Sequence, residues 1–298
     1  MNLLSAAKAA LSEIGIPAPA SLVGNMGTDA IQVLAVANAA ALTLSTECDW
    51  TPLQTQYLFQ VQSQTLTGST TSGSPLLVMA SAPVGLDGTY QVVGAGVPQD
   101  TYVVSVAGNV ITLNQSATST NSSIQLVFGK TKYPFPADYS RLINQTAYDK
   151  SRRWAMLGPA SPQEWEWLKS SYISTGPRIR YRLFGGYIQT WPIVATQDTI
   201  SFEYVSNSFA LSALGVPQNQ FLADTDTYIY PDRLMVTAIK YRYMEQRGLD
   251  YGAAFADYRQ QLDLAKSFDG GAPLLSMSRR AGSVLINMSN VPDSGYGS

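Results

Sequence analysis

The sequence contains no histidine, a single cysteine and few charges. Without imidazole, serine and cysteine triads lose their base, and most zinc, iron or copper sites lose their commonest ligand. Those chemistries are excluded, and no metal or cofactor is expected. Cys48 has neither a second thiol to pair with nor a histidine to activate it, so it reads as a small buried hydrophobe. Charged residues make up 13% of the chain, about half the usual quarter, which suits a surface largely covered by neighbours. With 19 basic and 21 acidic residues the net charge is -2, which removes any strong electrostatic case for coating nucleic acid. The N-terminal MNLLSAAKAALSEIG lacks the basic start and uninterrupted apolar run of a secretory signal. The most apolar stretch, 30–44, is shorter than the roughly 20 residues of a membrane span and contains Gln32 and Asn38. The expectation is a soluble protein made in the cytoplasm, with no membrane partner.

What is present is a 298-residue chain with 45% hydrophobic residues, enough for two globular units. Leu3, Leu4, Ala7, Ala10, Leu11 and Ile14 have helical spacing and stop at Gly15. A second helix is expected from a cap at Thr28 or Asp29 to about Glu47, burying Ile31, Leu34, Ala35, Asn38, Leu42 and Cys48. From Thr51 to Thr67, the period-two spacing of Tyr57, Phe59 and Val61 predicts a strand. Residues 66–130 differ in composition, being rich in Gly, Ser, Thr and Val with almost no charge. They read as an inserted, autonomous, β-sandwich-like module. Inside it, Gly108 and Asn109 form a two-residue hairpin loop that aligns Val106 with Ile111, Ser105 with Thr112 and Val104 with Leu113.

Further along, two prolines hold KYPFPADYS extended, and Asp138 is expected to cap a short helical turn. Ser161, Pro162 and Glu164 spell a capping box that starts a helix. RIRYRLFGGYIQTWP reads as a hairpin turning at Gly185 and Gly186, with 199–205 as its third strand and Glu203 placed to neutralise an arginine. Two helices follow, one from Pro231 to Gly248 and one capped by Asp250 through Ala254, Phe255, Tyr258, Leu262 and Ala265. The body, 1–65 with 131–269, is thus expected to be α+β: a helical bundle with a small antiparallel sheet, carrying the all-β insertion. Residues 270–298 read as an extended C-terminal arm.

Two acidic pairs are candidates for acid and base work. Glu164 and Glu166 lie two apart on a helix and point about 200 degrees apart, so they cannot share a site. Asp224 and Asp226 form D-T-D without the further oxygen ligands and glycine of a calcium loop. GAG at 94–96 lacks the third glycine and following helix of a dinucleotide fingerprint. No enzyme is expected. Arg178, Arg180 and Arg182 fall on one side of the predicted hairpin, where they would meet a neighbouring subunit, line a nucleic-acid channel, or face solvent. In the arm, Leu274, Leu275, Met277, Val284, Leu285, Ile286 and Met288 are too apolar to stay exposed, so the arm orders on a partner or packs back on its own body.

In order, the blocks IGIPAPASLVG, QVLAVANAAALTLSTECDW, PFPADYSRLINQTAYDKSRRW, GPASPQEWEWLKS and GPRIRYRLFGGYIQTWP resemble the head-to-tail connector, or adaptor, proteins of tailed bacteriophages. The resemblance spans about 1–64 and 130–267 and leaves the β insertion outside it. It implies a structural virion protein, synthesised in the host bacterium, that sits as a ring of about twelve copies beneath the portal protein. Such a ring presents a surface to tail tube or nozzle proteins, and DNA meets it only as the transiting genome. On that reading the arm carries the portal contact, with Leu274, Leu275, Val284, Leu285 and Ile286 as anchors and Arg279 and Arg280 pairing with acidic groups. The alternative is a tail or capsid decoration protein that binds a host glycan through the β module; a carboxylate-based cell-wall hydrolase has little support.

Overall fold

The structure, a computed structural model, describes residues 1–170, 178–194 and 196–270. Two helices open the chain, α1 (Leu3–Ile14) and α2 (Thr28–Glu47), and β1 (Gln54–Gln60) follows a short 3-10 turn. Six strands come next: β2 (Ser63–Thr70), β3 (Leu76–Met79), β4 (Tyr90–Val93), β5 (Thr101–Ala107), β6 (Val110–Leu113) and β7 (Asn121–Lys130). Then come β8 (Lys132–Pro134), β9 (Tyr139–Leu142), β10 (Tyr148–Asp149), β11 (Trp154–Ala155) and α3 (Pro162–Ser170). The remainder is β12 (Arg180–Phe184), β13 (Tyr187–Trp191), β14 (Thr199–Ser206), β15 (Ala210–Leu211), β16 (Pro217–Gln218), β17 (Thr227–Tyr228), α4 (Asp232–Gln246) and α5 (Gly252–Asp269).

Antiparallel sheet dominates, which corrects the expected helical bundle with a small sheet. The strands make a five-stranded sheet (β1-β14-β10-β11, with β9 also on β14), two three-stranded sheets (β12-β13-β8 and β16-β15-β17) and a closed barrel. Five α-helices are present among the described residues. The expectation failed because strands of two to five residues carry too few alternations to be read from sequence, and because most are paired with partners distant in the chain. The insertion likewise closes on itself as a barrel, β2-β3-β6-β5-β4-β7, where a sandwich was expected. Its first strand starts at Ser63, and its core is Leu77, Val92, Ile111, Leu126 and Phe128.

The helices α1, α2, α4 and α5 share one core. Asn2 caps α1 by accepting from Ser5 N at 2.9 Å, and Gly15, at φ 78, ends it in the left-handed conformation that its missing Cβ permits. Gly27 caps α2, so Thr28 and Asp29 lie inside the helix rather than before it. The buried face of α2 is also not the expected one: Ala30, Val33, Val36, Ala37, Ala40, Ala41 and Leu44 face inward, while Ile31 and Leu42 are more than half exposed. Both faces are apolar, and close approach to α4 selects the one built of alanine and valine. By length and composition α2 would suit a membrane span, but its alanine face is spent on this packing.

Strand β14 joins the two halves of the body. Ile200, Phe202 and Tyr204 point into a second core with Val61, Tyr133, Tyr181 and Ile188, while Val205 points into the helical core. This pairing also redirects residues 199–205, which were expected beside the 180–191 hairpin. They pair instead with β1, β9 and β10, and β8 is the third strand of the hairpin sheet. Asp138 caps no helical turn; its carboxylate accepts from Tyr204 OH at 2.9 Å and Ser206 Oγ at 2.7 Å.

The β5–β6 hairpin turns at Gly108 and Asn109 with Val106 opposite Ile111 and Ser105 opposite Thr112, but Leu113 faces Val103, not Val104. A bulge absorbs one residue, so Val103 is buried and Val104 is turned to solvent. Helix α3 starts where the capping signal placed it, with Glu164 N donating to Ser161 Oγ at 3.2 Å. We expect Ser161→Ala to cost about 1 kcal/mol of stability, read as a lower denaturant midpoint at unchanged slope; an unchanged midpoint would mean that the cap contributes nothing.

Candidate interaction surface

The β12–β13 hairpin pairs Arg180 with Trp191, Arg182 with Gln189 and Leu183 with Ile188, as its alternation predicted. Tyr181 and Ile188 turn into the core, so the arginines share the opposite face. Helix α3 covers that face. Arg180 reaches Glu164 at 3.4 Å, and Arg182 lies 3.9 Å from Glu166 with its guanidinium 4.8 Å above the Trp165 ring. Nε of Arg182 also donates to Gln189 Oε1 at 2.9 Å. Glu164 and Glu166 therefore each meet a different arginine, and Glu203 is not among the partners. Arg178 alone of the three is exposed.

One turn further along α3, Lys169 carries out a role that sequence reasoning missed. Its side chain is 8% exposed, and Nζ donates to Asp100 Oδ1 at 2.5 Å and to Tyr102 OH at 2.6 Å. The rings of Tyr102, Trp191 and Trp165 lie 5.2, 5.7 and 5.8 Å from the ammonium. Asp100 and Tyr102 belong to the barrel, Trp165 to α3 and Trp191 to the hairpin sheet, so a single cation ties three elements together. Gln189 Nε2 lies 3.4 Å from Tyr102 OH, and Gln91 Nε2 donates to Asp100 at 3.1 Å. Burial, reinforced by the hydrogen bond to Asp100, pushes the Tyr102 phenol far above its ordinary pKa, so the hydroxyl stays protonated. The cluster thus links the barrel to the body through side chains. Nothing in the spacing of Asp100 and Lys169 could have shown this, because 69 residues separate them.

The other candidates resolve as structure. Asp224 accepts from Val23 N at 2.8 Å and Leu22 N at 3.1 Å, pinning the segment between α1 and α2. Asp226 is buried and accepts from Leu222 N and Ala223 N at 2.7 and 2.8 Å, closing its own loop. The two carboxylates hold backbone, not a common ligand. Cys48 is half-buried against the helical core, and burial raises its thiol pKa. In the barrel, all three aromatic side chains, Tyr90, Tyr102 and Phe128, are buried or half-buried. The arm residues Leu274, Leu275, Arg279, Arg280, Val284, Leu285 and Ile286 lie outside the described residues.

The candidate charges are thus used inside the fold: Lys169, Arg180 and Arg182 pair with Asp100, Glu164 and Glu166, and Asp224 and Asp226 hold backbone. The family model described as SU10 adaptor protein matches residues 102–282, well over half of the chain, and the chain belongs to that family of phage adaptors. It is a bacteriophage structural protein and a component of the virion, made to contact other phage structural proteins. The match begins inside β5 and runs past α5, so it takes in half of the barrel that the resemblance had left aside. No curated protein matches the chain.

Proposed function

We propose that the protein forms the ring that joins the portal to the tail, contacting the portal protein on one side and tail tube or nozzle proteins on the other. About twelve copies enclose a channel through which the genome passes. Membership of the adaptor family is the observation that carries this reading. The low charge and the docking of the barrel through Lys169 are in keeping with a building block. The barrel, 66–130 in the sequence division, acts here as a fixed projection of the body. A glycan-binding role for it gains no support from its aromatic rings, since Tyr90 and Phe128 belong to the barrel core and Tyr102 is packed against Lys169 and Lys132 of the body.

Electron microscopy of the purified protein mixed with its portal tests the proposal. The expected result is an annulus with a central channel seated on the portal. Monomers that remain separate from the portal across the range of salt would overturn it.

A further inference from the structure

The turn between β10 and β11, residues 150–153, gathers Lys150, Arg152 and Arg153 in a chain of few charges. It is held from several sides. Asp149, buried beneath the turn, accepts from Ser151 N and Arg152 N, both at 3.0 Å. Lys150 N donates to Thr199 O at 2.8 Å, and Thr199 N donates to Ser151 Oγ at 2.9 Å. Nε of Arg152 donates to one oxygen of the buried Asp198 at 2.8 Å, and Thr196 Oγ1 donates to the other at 2.8 Å. Since Arg152 Nε also lies 3.8 Å from Asp149, this one cation faces both carboxylates that the fold has buried here.

Lys150 and Arg153 have no such task. Both are exposed, and among the described residues neither takes part in an ion pair or a side-chain hydrogen bond. Arg153 moreover has φ 59, in the left-handed region that glycine enters freely and a long side chain does not. The bonds on either side of it keep it there. Glycine would meet the geometry of the turn at lower cost, so the fold itself supplies no reason for an arginine at 153. An exposed, unpaired cation on a disfavoured backbone, three residues from a second one, directs attention to an anion outside the chain.

We infer that this turn is a phosphate contact: Lys150 and Arg153 each neutralise a phosphate of the DNA backbone. The inference rests on the channel reading above, and it adds that the β10–β11 corner of the five-stranded sheet faces the channel. The chemistry suits phosphate, for lysine is a compact point charge and arginine a planar fork of donors. A duplex carries a charge about every 1.7 Å along its axis, so two fixed cations meet phosphates at every stage of passage. An acidic patch on a protein would have to stand opposite both at once. The net charge of -2 keeps the rest of the surface from adding to the attraction, which leaves the contact local and lets the genome move on.

Fluorescence anisotropy of a labelled DNA duplex of random sequence, titrated with the full chain at several salt concentrations, tests this. Each phosphate contact contributes about 0.9 to the slope of log affinity against log salt, so Lys150→Gln with Arg153→Gln should make the slope shallower by about 1.8 per bound copy and weaken binding at low salt at least about tenfold. Arg153→Lys keeps the charge and should bind within about threefold of the unaltered chain. Arg153→Gly deletes the charge while relaxing the backbone, so it remains informative if the double variant folds poorly; its slope should be shallower by about 0.9. Equal affinity and slope in the unaltered chain and these charge-deleting variants would overturn the inference, as would the absence of salt-dependent binding by the unaltered chain. Unchanged DNA affinity with lost seating on the portal would assign the turn to an acidic protein surface and overturn it too. Electron microscopy of the same preparations keeps the ring reading separate. Annuli on the portal with DNA affinity unchanged in the double variant sink the phosphate contact alone, whereas weakened DNA binding in a protein that forms no annulus supports the contact and sinks the ring.

Discussion

Gly158→Ala is expected to destabilise the protein by about 3–5 kcal/mol. Gly158 has φ +152, and a Cβ built on it would lie 2.4 Å from the carbonyl oxygen of Tyr181 and 2.9 Å from its ring. Neither neighbour can yield. The carbonyl accepts from Ala160 N at 2.9 Å, Tyr181 N donates to Leu157 O at 3.0 Å, and the ring is 1% exposed in the second core. A disfavoured backbone conformation costs about 1–3 kcal/mol, and forcing a methyl into close packing adds about 1–3 kcal/mol. Against a total stability of about 5–15 kcal/mol, this is a large share. Gly185 supplies the contrast: it has φ +58 at the hairpin turn with open space around its Cβ position, so Gly185→Ala should cost only about 1–2 kcal/mol. Urea unfolding of both variants at equal slope provides the measurement. Similar midpoints for the two would show that the 157–160 segment shifts freely against Tyr181.

Lys169→Met should have the next largest effect, about 2 kcal/mol. The substitution keeps an apolar stem among Trp165, Trp191 and Tyr102 but removes the ammonium that Asp100 and Tyr102 OH face. Breaking a fully buried pair costs about 3–5 kcal/mol. Asp100 keeps Gln91 as a donor and is about one-third exposed, so the stranded carboxylate is partly rehydrated and the cost falls below that range. A double-mutant cycle with Asp100→Asn isolates the pair, and a coupling of more than about 1 kcal/mol is expected. Coupling near zero would mean that the Lys169–Asp100 pair contributes nothing to docking and that the other barrel–body contacts, such as Gln189 with Tyr102 and Lys132 over the Tyr102 ring, suffice. Because Lys169 contacts barrel, helix and hairpin at once, its loss should also speed proteolysis at the 60–64 and 130–132 crossings.

Several elements were legible without coordinates because the signal is local. The α1 stop at Gly15, the Ser161 cap of α3 and the pairing of Arg180 with Trp191 each depend on residues within a few positions of one another. Backbone dihedral preference, orphan amides and the two-residue period act at that range. The composition of 66–130 marked a β unit for the same reason. Adaptor membership was legible too, through blocks such as GPASPQEWEWLKS, which lie within the matched residues.

Contacts distant in the sequence were decided elsewhere. Whether α2 buries its isoleucine face or its alanine face depends on how closely α4 approaches, and whether 199–205 joins the hairpin or β1 depends on which strand the core leaves open. The bulge at Val104 shows the same limit within a hairpin: the loop set the first pairs, and barrel closure set the third. Most of all, the Lys169 node gathers residues 69 apart in the chain with two tryptophans of different elements. Sequence alone determined that this is a low-charge, histidine-free phage adaptor built of particular local turns and caps, because those properties reside in residue chemistry and short-range sterics. Only the tertiary structure decided that the body is sheet-rich and the barrel clamped to it, because burial and electrostatic pairing are settled by side chains that meet only after the chain has folded.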